Sequence, residues 1–364
     1  MNSFIKMVTI LDVIKRSKEK MNFIIENRNS IFKDALDLYS NNNYHSICFV
    51  GSGSSYSSIL STFLFVEKAS GLSTSVMLPN LFINKEVYDE NTLYVFVSQT
   101  GTSKLMIKAA NKLKNLGIKT IALSSDKNSV LVKECTCFIE LSIGYEEYSY
   151  ATLGFTCSML SEILFAIEIG KVNNHISFDQ YNDYIEEIKK TPNSNYETID
   201  KTISWFYLNK DKLINYENFI IYGGSSLFGV ANEGALKIME ITKKYVSIGY
   251  EIDDGMHGPN YCLDERTAVL ALNDNKDKTN AACLMNLMKK EYGSGYLIGL
   301  DVMDSNDLEL DLKTNNFTNL EMISFVQVLS YLLAKENNVS IYEKSDPRIE
   351  YTKGKGYFNM HEVK

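Results

Sequence analysis

Apolar residues along this chain fall into two alternating rhythms. Short continuous runs at Ser46-Ile47-Cys48-Phe49-Val50, Leu93 to Val97, Thr120-Ile121-Ala122-Leu123 and Cys137 to Leu141 read as buried strands. Between them, Tyr56 to Ser70, Lys104 to Leu116 and Leu153 to Ile169 carry apolar positions three and four apart and predict helices. Strands apolar on both faces and separated by helices predict a parallel sheet with crossover connections. Upstream, Ile10 to Asn41 has helical spacing (Met21, Ile24, Ile25, Ile31, Leu36, Leu38) and reads as lead-in helices, for packing or a subunit contact.

The rhythm then starts again. After a polar segment, Thr191-Pro192-Asn193-Ser194-Asn195, the run Phe219 to Tyr222 repeats the first strand and Thr267 to Leu272 the second. Tyr296 to Leu300 repeats the third, and Leu308 to Leu312, before a helix at Asn319 to Lys335, the fourth. The first turn and the second strand end lie 47 residues apart in one half (51 and 98) and 50 in the other (223 and 273). Order and spacing together indicate duplication. The expected organisation is a helical lead-in over residues 1–40, α/β units over 41–190 and 191–340, and a tail over 341–364.

A length of 364 residues suits two domains, each with its own core. At 45% hydrophobic and 23% charged, the chain is neither disordered nor fibrous. Its net charge of -8, with Lys and Arg interspersed among acids, argues against a nucleic-acid surface, so an anionic ligand must be caught locally. No stretch reaches the roughly 18 uncharged apolar residues that span a bilayer. The N-terminus, broken by Lys6, Asp12 and Lys15, is no signal peptide, and a cytoplasmic location is expected. Cys48, Cys157 and Cys283 sit in apolar runs and read as reduced core thiols. Cys135-Thr136-Cys137 lacks zinc spacing and the four histidines are scattered, so no metal is expected.

Candidate chemistry gathers at strand ends. Gly51-Ser52-Gly53-Ser54-Ser55 and Ser98-Gln99-Thr100-Gly101-Thr102-Ser103 each join a strand to a helix, where free helix N–H groups meet ligands in open α/β sheets. Either loop alone is commonly only a turn, and Gly51-Ser52-Gly53 completes neither the dinucleotide fingerprint nor the P-loop. Two of them on neighbouring strands predict a phosphate cradle.

In the second half, Glu233, Lys237 and Glu240 are spaced by four and then three residues, on one helical face. Such a face is often only solvated charge, with pairs worth about 0.2–0.5 kcal/mol each. As chemistry, its carboxylates are bases and its lysine lowers their pKa or stabilises an oxyanion. His257, within Asp253-Asp254-Gly255-Met256-His257-Gly258-Pro259-Asn260, is either a turn residue capping a carbonyl or a group titrating near neutrality. Lys353 and Lys355 read by themselves as surface charge.

The order of the repeat, Ser98-Gln99-Thr100-Gly101, Glu233-Gly234-Ala235-Leu236-Lys237, Glu240 and His257-Gly258-Pro259 resembles that of sugar isomerase (SIS) domain proteins over about residues 40 to 355. It is similar to the tandem-SIS isomerase half of glucosamine-6-phosphate synthases and, more closely, to stand-alone fructosamine-6-phosphate deglycases. The resemblance implies two SIS domains, each a flavodoxin-like three-layer sandwich, in a homodimer or dimer of dimers with a shared active site. It implies no cofactor, and a C-terminal tail over the site. Gly53, Ser54, Ser98, Gln99, Thr100, Ser103 and Thr152 would hold the sugar phosphate. Glu240 would move a proton between C1 and C2, supported by Glu233 and Lys237. His257 would open the sugar ring from the neighbouring subunit, and Lys353 falls near the tail lysine of the synthases, its distance from Pro347 differing by one residue. Thr102 stands where the synthase motif has an acid, Leu153 replaces a lysine, and no glutaminase domain precedes the repeat.

With no ammonia supply from glutamine, the expected activity is removal of an amine from a 6-phosphorylated fructosamine. An aminosugar-phosphate deaminase or an aldose-ketose isomerase would use the same groups, and a non-catalytic sugar-phosphate sensor would use the cradle alone. Tyr145, Tyr148 and Arg348 are candidates for the amine half of the substrate.

Overall fold

The computed structural model describes residues 8–341. Three lead-in helices, α1 (Ile10–Lys15), α2 (Ser17–Ile31) and α3 (Lys33–Ser40), open the chain. The first is set by a capping box, in which the Thr9 hydroxyl accepts from the Asp12 N–H and the Asp12 carboxylate from the Thr9 N–H. There follow β1 (Ser46–Val50), α4 (Ser54–Ser70), β2 (Ser73–Met77), α5 (Pro79–Ile83), β3 (Thr92–Val97), α6 (Lys104–Asn115), β4 (Thr120–Ser124), α7 (Val130–Glu134), β5 (Cys137–Glu140) and α8 (Leu153–Val172). Helices α9 (Phe178–Ile188) and α10 (Thr191–Leu213) lead to β6 (Asn218–Gly223), α11 (Leu227–Thr242), β7 (Val246–Glu251), β8 (Thr267–Asn273), α12 (Lys278–Leu287), β9 (Gly295–Gly299), β10 (Leu308–Glu309) and α13 (Thr318–Glu336).

Both sheets are parallel and five-stranded, ordered β2-β1-β3-β4-β5 and β7-β6-β8-β9-β10. Identical strand order in the two halves is what a duplication leaves behind. The fold is therefore two flavodoxin-like α/β units, as expected. Alternate residues of each strand face opposite layers. Ile47, Phe49, Leu93, Val95, Phe219, Ile221, Leu270 and Leu272 enter one core shared by both halves. Cys48, Val50, Tyr94 and Phe96 enter a smaller core under α5 and α6, and Tyr222, Val269 and Ala271 one under α12. Between the sheets, α4 packs on α8, α11 on α13, and α4 on α11. Helix α8 is long and apolar enough to cross a membrane, but here it lies buried in the fold.

Three sequence expectations change. Strands β2 and β7 do not interrupt the apolar pattern, because each is a half-exposed edge strand with polar residues, Ser73-Thr74-Ser75 in one and Ser247 in the other. The polar segment at Thr191 begins a 23-residue helix, with Pro192 in the first turn, where its missing N–H costs nothing. Cys283 is exposed rather than buried, on the side of α12 opposite Ala281, Leu284 and Met285.

Candidate active site

Strands β1 and β3 are neighbours, and their connections leave in opposite directions, so the loops at their carboxyl ends flank the switch point of the first sheet. Ser54 opens α4, with Gly53 as its N-cap residue. Ser98 to Ser103 runs from β3 into α6, whose N-cap Ser103 makes no side-chain capping bond. The loop is tightly held: the Gln99 carbonyl accepts from Ser125 N–H (2.8 Å), Ser125 Oγ (2.6 Å) and Ser124 Oγ (3.0 Å). Gly101 has φ +62°, and a Cβ there would collide with the Ser129 side chain. Thr102 is buried and its hydroxyl lies 2.8 Å from that of Thr100.

The charged face of α11 is not solvated. Glu233 and Lys237 are both 0% exposed, whereas the Glu240 side chain is 31% exposed and so reachable. Lys237 Nζ lies 3.0 Å from Glu233 Oε1, donates to Glu240 Oε1, and donates across the boundary between the halves to Ser54 Oγ at 2.9 Å. Burial pushes the Glu233 carboxyl up to about 7, with Lys237 opposing the rise and Glu240 adding to it. Burial by itself would depress the Lys237 ammonium. The Glu233 and Glu240 carboxylates outweigh that effect and hold it above its ordinary value, firmly protonated.

The remaining candidates are placed differently. Gln99 and Thr152 both donate to a carboxylate that the sequence did not single out, Glu146, at 2.7 and 2.9 Å. His257 is 74% exposed, 3.8 Å from Asp253 Oδ2, and makes no hydrogen bond or ion pair with Glu233, Lys237 or Glu240. Tyr145 is exposed, and Tyr148 donates to the Val8 carbonyl. Lys353, Lys355 and Arg348 lie outside the described residues. A second missed acid, Glu162 of α8, is buried against α4, where it accepts from Ser58 Oγ (2.9 Å) and Thr62 Oγ1 (2.6 Å). Burial pushes it up to about 8.

The corresponding turns of the second half carry carboxylates. Asp277 lies against the turn at Gly224, so closely that a Cβ on that glycine would strike its carboxylate. Asp274, paired with Lys276 and Thr318, stands where the first half has Gln99.

Residues 42–166 match the family model of the SIS domain. Over that stretch the chain is similar to a SIS domain. Among curated relatives, the glutamine–fructose-6-phosphate aminotransferase (isomerizing) of Francisella tularensis subsp. tularensis is 25% identical over 276 residues, covering 74% of this chain and 44% of the relative. The chain thus spans under half the length of that relative. Among solved structures, a Clostridium difficile 630 protein provisionally named a phosphosugar isomerase superposes with TM-score 0.87 at 24% identity, over 96% of this chain and 99% of the other. The C-terminal domain of glucosamine-fructose-6-phosphate aminotransferase from Francisella tularensis gives TM-score 0.80 at 20% identity, over 93% and 99%. At these identities the superpositions establish the fold alone: two parallel α/β units in tandem.

Proposed function

We propose that the chain is an enzyme that moves a proton between adjacent carbons of a phosphorylated sugar, and that its substrate is a 6-phosphorylated fructosamine. The observation carrying this reading is the reach of Lys237. One ammonium touches Ser54 at the helix N-terminus of the first half and both carboxylates of the second, which supports an anion grip and a proton carrier acting on one ligand. The names of the relatives, a fructose-6-phosphate aminotransferase and a phosphosugar isomerase, fit the same substrate class.

In this mechanism the phosphate docks on the N–H groups and hydroxyls that open α4 and α6. His257, supplied by a second copy of the chain, assists ring opening. Glu240, the reachable carboxylate, takes a proton from C1 while O2 is protonated, giving the enaminol. Lys237 stabilises the charge developing on O2. Return of the proton to C2 and loss of the proton on nitrogen leave an imine at C1 with O2 kept as a hydroxyl; water adds at C1, the amine departs, and glucose 6-phosphate is released. Lys237 stays a charge and never becomes a nucleophile, since its neighbours hold its proton.

The test is a mixed assay with fructoselysine 6-phosphate, glucosamine 6-phosphate and fructose 6-phosphate, following free amine, ammonia and hexose interconversion. Amine release from the first is expected. Ammonia alone would make the protein a deaminase, interconversion alone an isomerase, and binding without turnover a sensor.

A further inference from the structure

One polar cluster beside the cradle takes no part in the chemistry above. Glu146, in the loop between β5 and α8, turns its carboxylate onto the N-terminus of α8. Its Oε1 accepts from Thr152 N–H (2.8 Å), Thr152 Oγ1 (2.9 Å) and Leu153 N–H (3.1 Å). Its Oε2 accepts from Gly154 N–H (3.1 Å) and from Gln99 Nε2 (2.7 Å). Five donors thus converge on one carboxylate, which satisfies three N–H groups that the helix leaves unpaired and complements its dipole.

The loop carrying Glu146 is braced from behind. Arg16 pairs with Glu147 and donates to the Tyr145 carbonyl, while Gln327 of α13 donates to the Thr152 carbonyl at 2.9 Å. Gly154 leaves room for the Gln99 amide, which occupies the place a Cβ would take. Gln99 is therefore tied, by its side chain, to a rigid anchor, and by its carbonyl to Ser124 and Ser125.

We propose that Glu146 is a positioning residue for the cradle, fixing the Gln99 amide and with it the backbone of residues 98–103 for phosphate. It rests on the phosphosugar reading above. Being an anion, Glu146 does not touch the phosphate itself, and it removes the Thr152 hydroxyl from the free donors. Glu146→Gln keeps the shape but replaces one acceptor oxygen with an NH2 group. Whichever way that amide turns, it faces donors, either Gln99 and Gly154 or Thr152 and Leu153. Gly154→Ala leaves the charge in place and pushes the Gln99 amide off it.

The experiment measures the affinity of wild type and both variants for inorganic phosphate and fructose 6-phosphate by calorimetry, with thermal unfolding to confirm folding and steady-state kinetics on the substrate the mixed assay identifies. Loss of hydrogen bonds to a charged group predicts about tenfold weaker binding of both ligands. KM rises to match, while kcat stays within about twofold because Glu240 is untouched. Wild-type affinity in a folded Glu146→Gln or Gly154→Ala protein overturns the role of Glu146 alone. Failure of the wild type to bind either ligand overturns the phosphosugar reading and this role with it.

Discussion

Replacing Lys237 with Met keeps most of the side-chain volume and deletes the charge between Glu233 and Glu240. Glu233, fully buried, is already held up at about 7 with Lys237 pulling it down; without the lysine it rises further and remains protonated to higher pH. A carboxyl raised above its unfolded value of 4.5 contributes stability that is complete below that value and disappears as pH climbs through the folded one. In the wild type this loss is nearly over one unit above neutrality. In the variant it continues at about 1.4 kcal/mol per pH unit for as long as the proton stays bound.

Between pH 7 and 9 the variant should therefore lose about 2 kcal/mol more than the wild type, within the roughly 3–5 kcal/mol that breaking a buried ion pair costs. The stability that Lys237 itself contributes, from a pKa raised above 10.5, is constant across that window and does not tilt the comparison. Urea unfolding at pH 6, 7, 8 and 9 reads the effect. Adding Glu233→Gln should flatten the curve and recover most of the stability while leaving turnover absent. Parallel pH–stability curves for wild type and Lys237→Met would refute the argument.

Three further outcomes are expected. Glu240→Gln should abolish turnover and retain phosphosugar affinity within about threefold, measured by calorimetry beside kinetics; full turnover would exclude Glu240 as the base. Gly101→Ala should destabilise more than Gly117→Ala in chemical unfolding, because both have positive φ but only Gly101 also meets a neighbour, Ser129; the second change should cost about 1 kcal/mol. Glu162, raised to about 8, should give the wild type stability that falls as pH rises from 5 to 9, by on the order of 1 kcal/mol above pH 7 alone. Glu162→Gln should remove that part of the fall, and an unchanged pH profile in thermal unfolding would show that Glu162 is ionised throughout.

Much of the architecture is legible in the chain because burial on both faces of a parallel strand leaves a continuous apolar run, and β1, β3, β4, β6 and β8 all carry one. Edge strands β2 and β7 are covered less and carry no such mark. The spacing of Glu233, Lys237 and Glu240 likewise puts them on one helical face by geometry alone. Whether that face meets water or protein is not a local property. It turned inward because α11 packs between α13 and α4, bringing Ser54 to Lys237 across 183 positions of sequence.

Glu146 and Glu162 left no readable sign for the same reason. A lone acid in a loop or an apolar helix has no periodicity, and the partners that give it meaning, Gln99 for one and Ser58 and Thr62 for the other, are 47 to 104 residues away. The sequence by itself determined the rhythm of strands and helices, the duplication and the residue types at each strand end, all consequences of short-range periodicity and backbone geometry. Tertiary structure decided which charges were stripped of water and which donors were spent on internal carboxylates, because desolvation and hydrogen bonding depend on neighbours that only packing supplies.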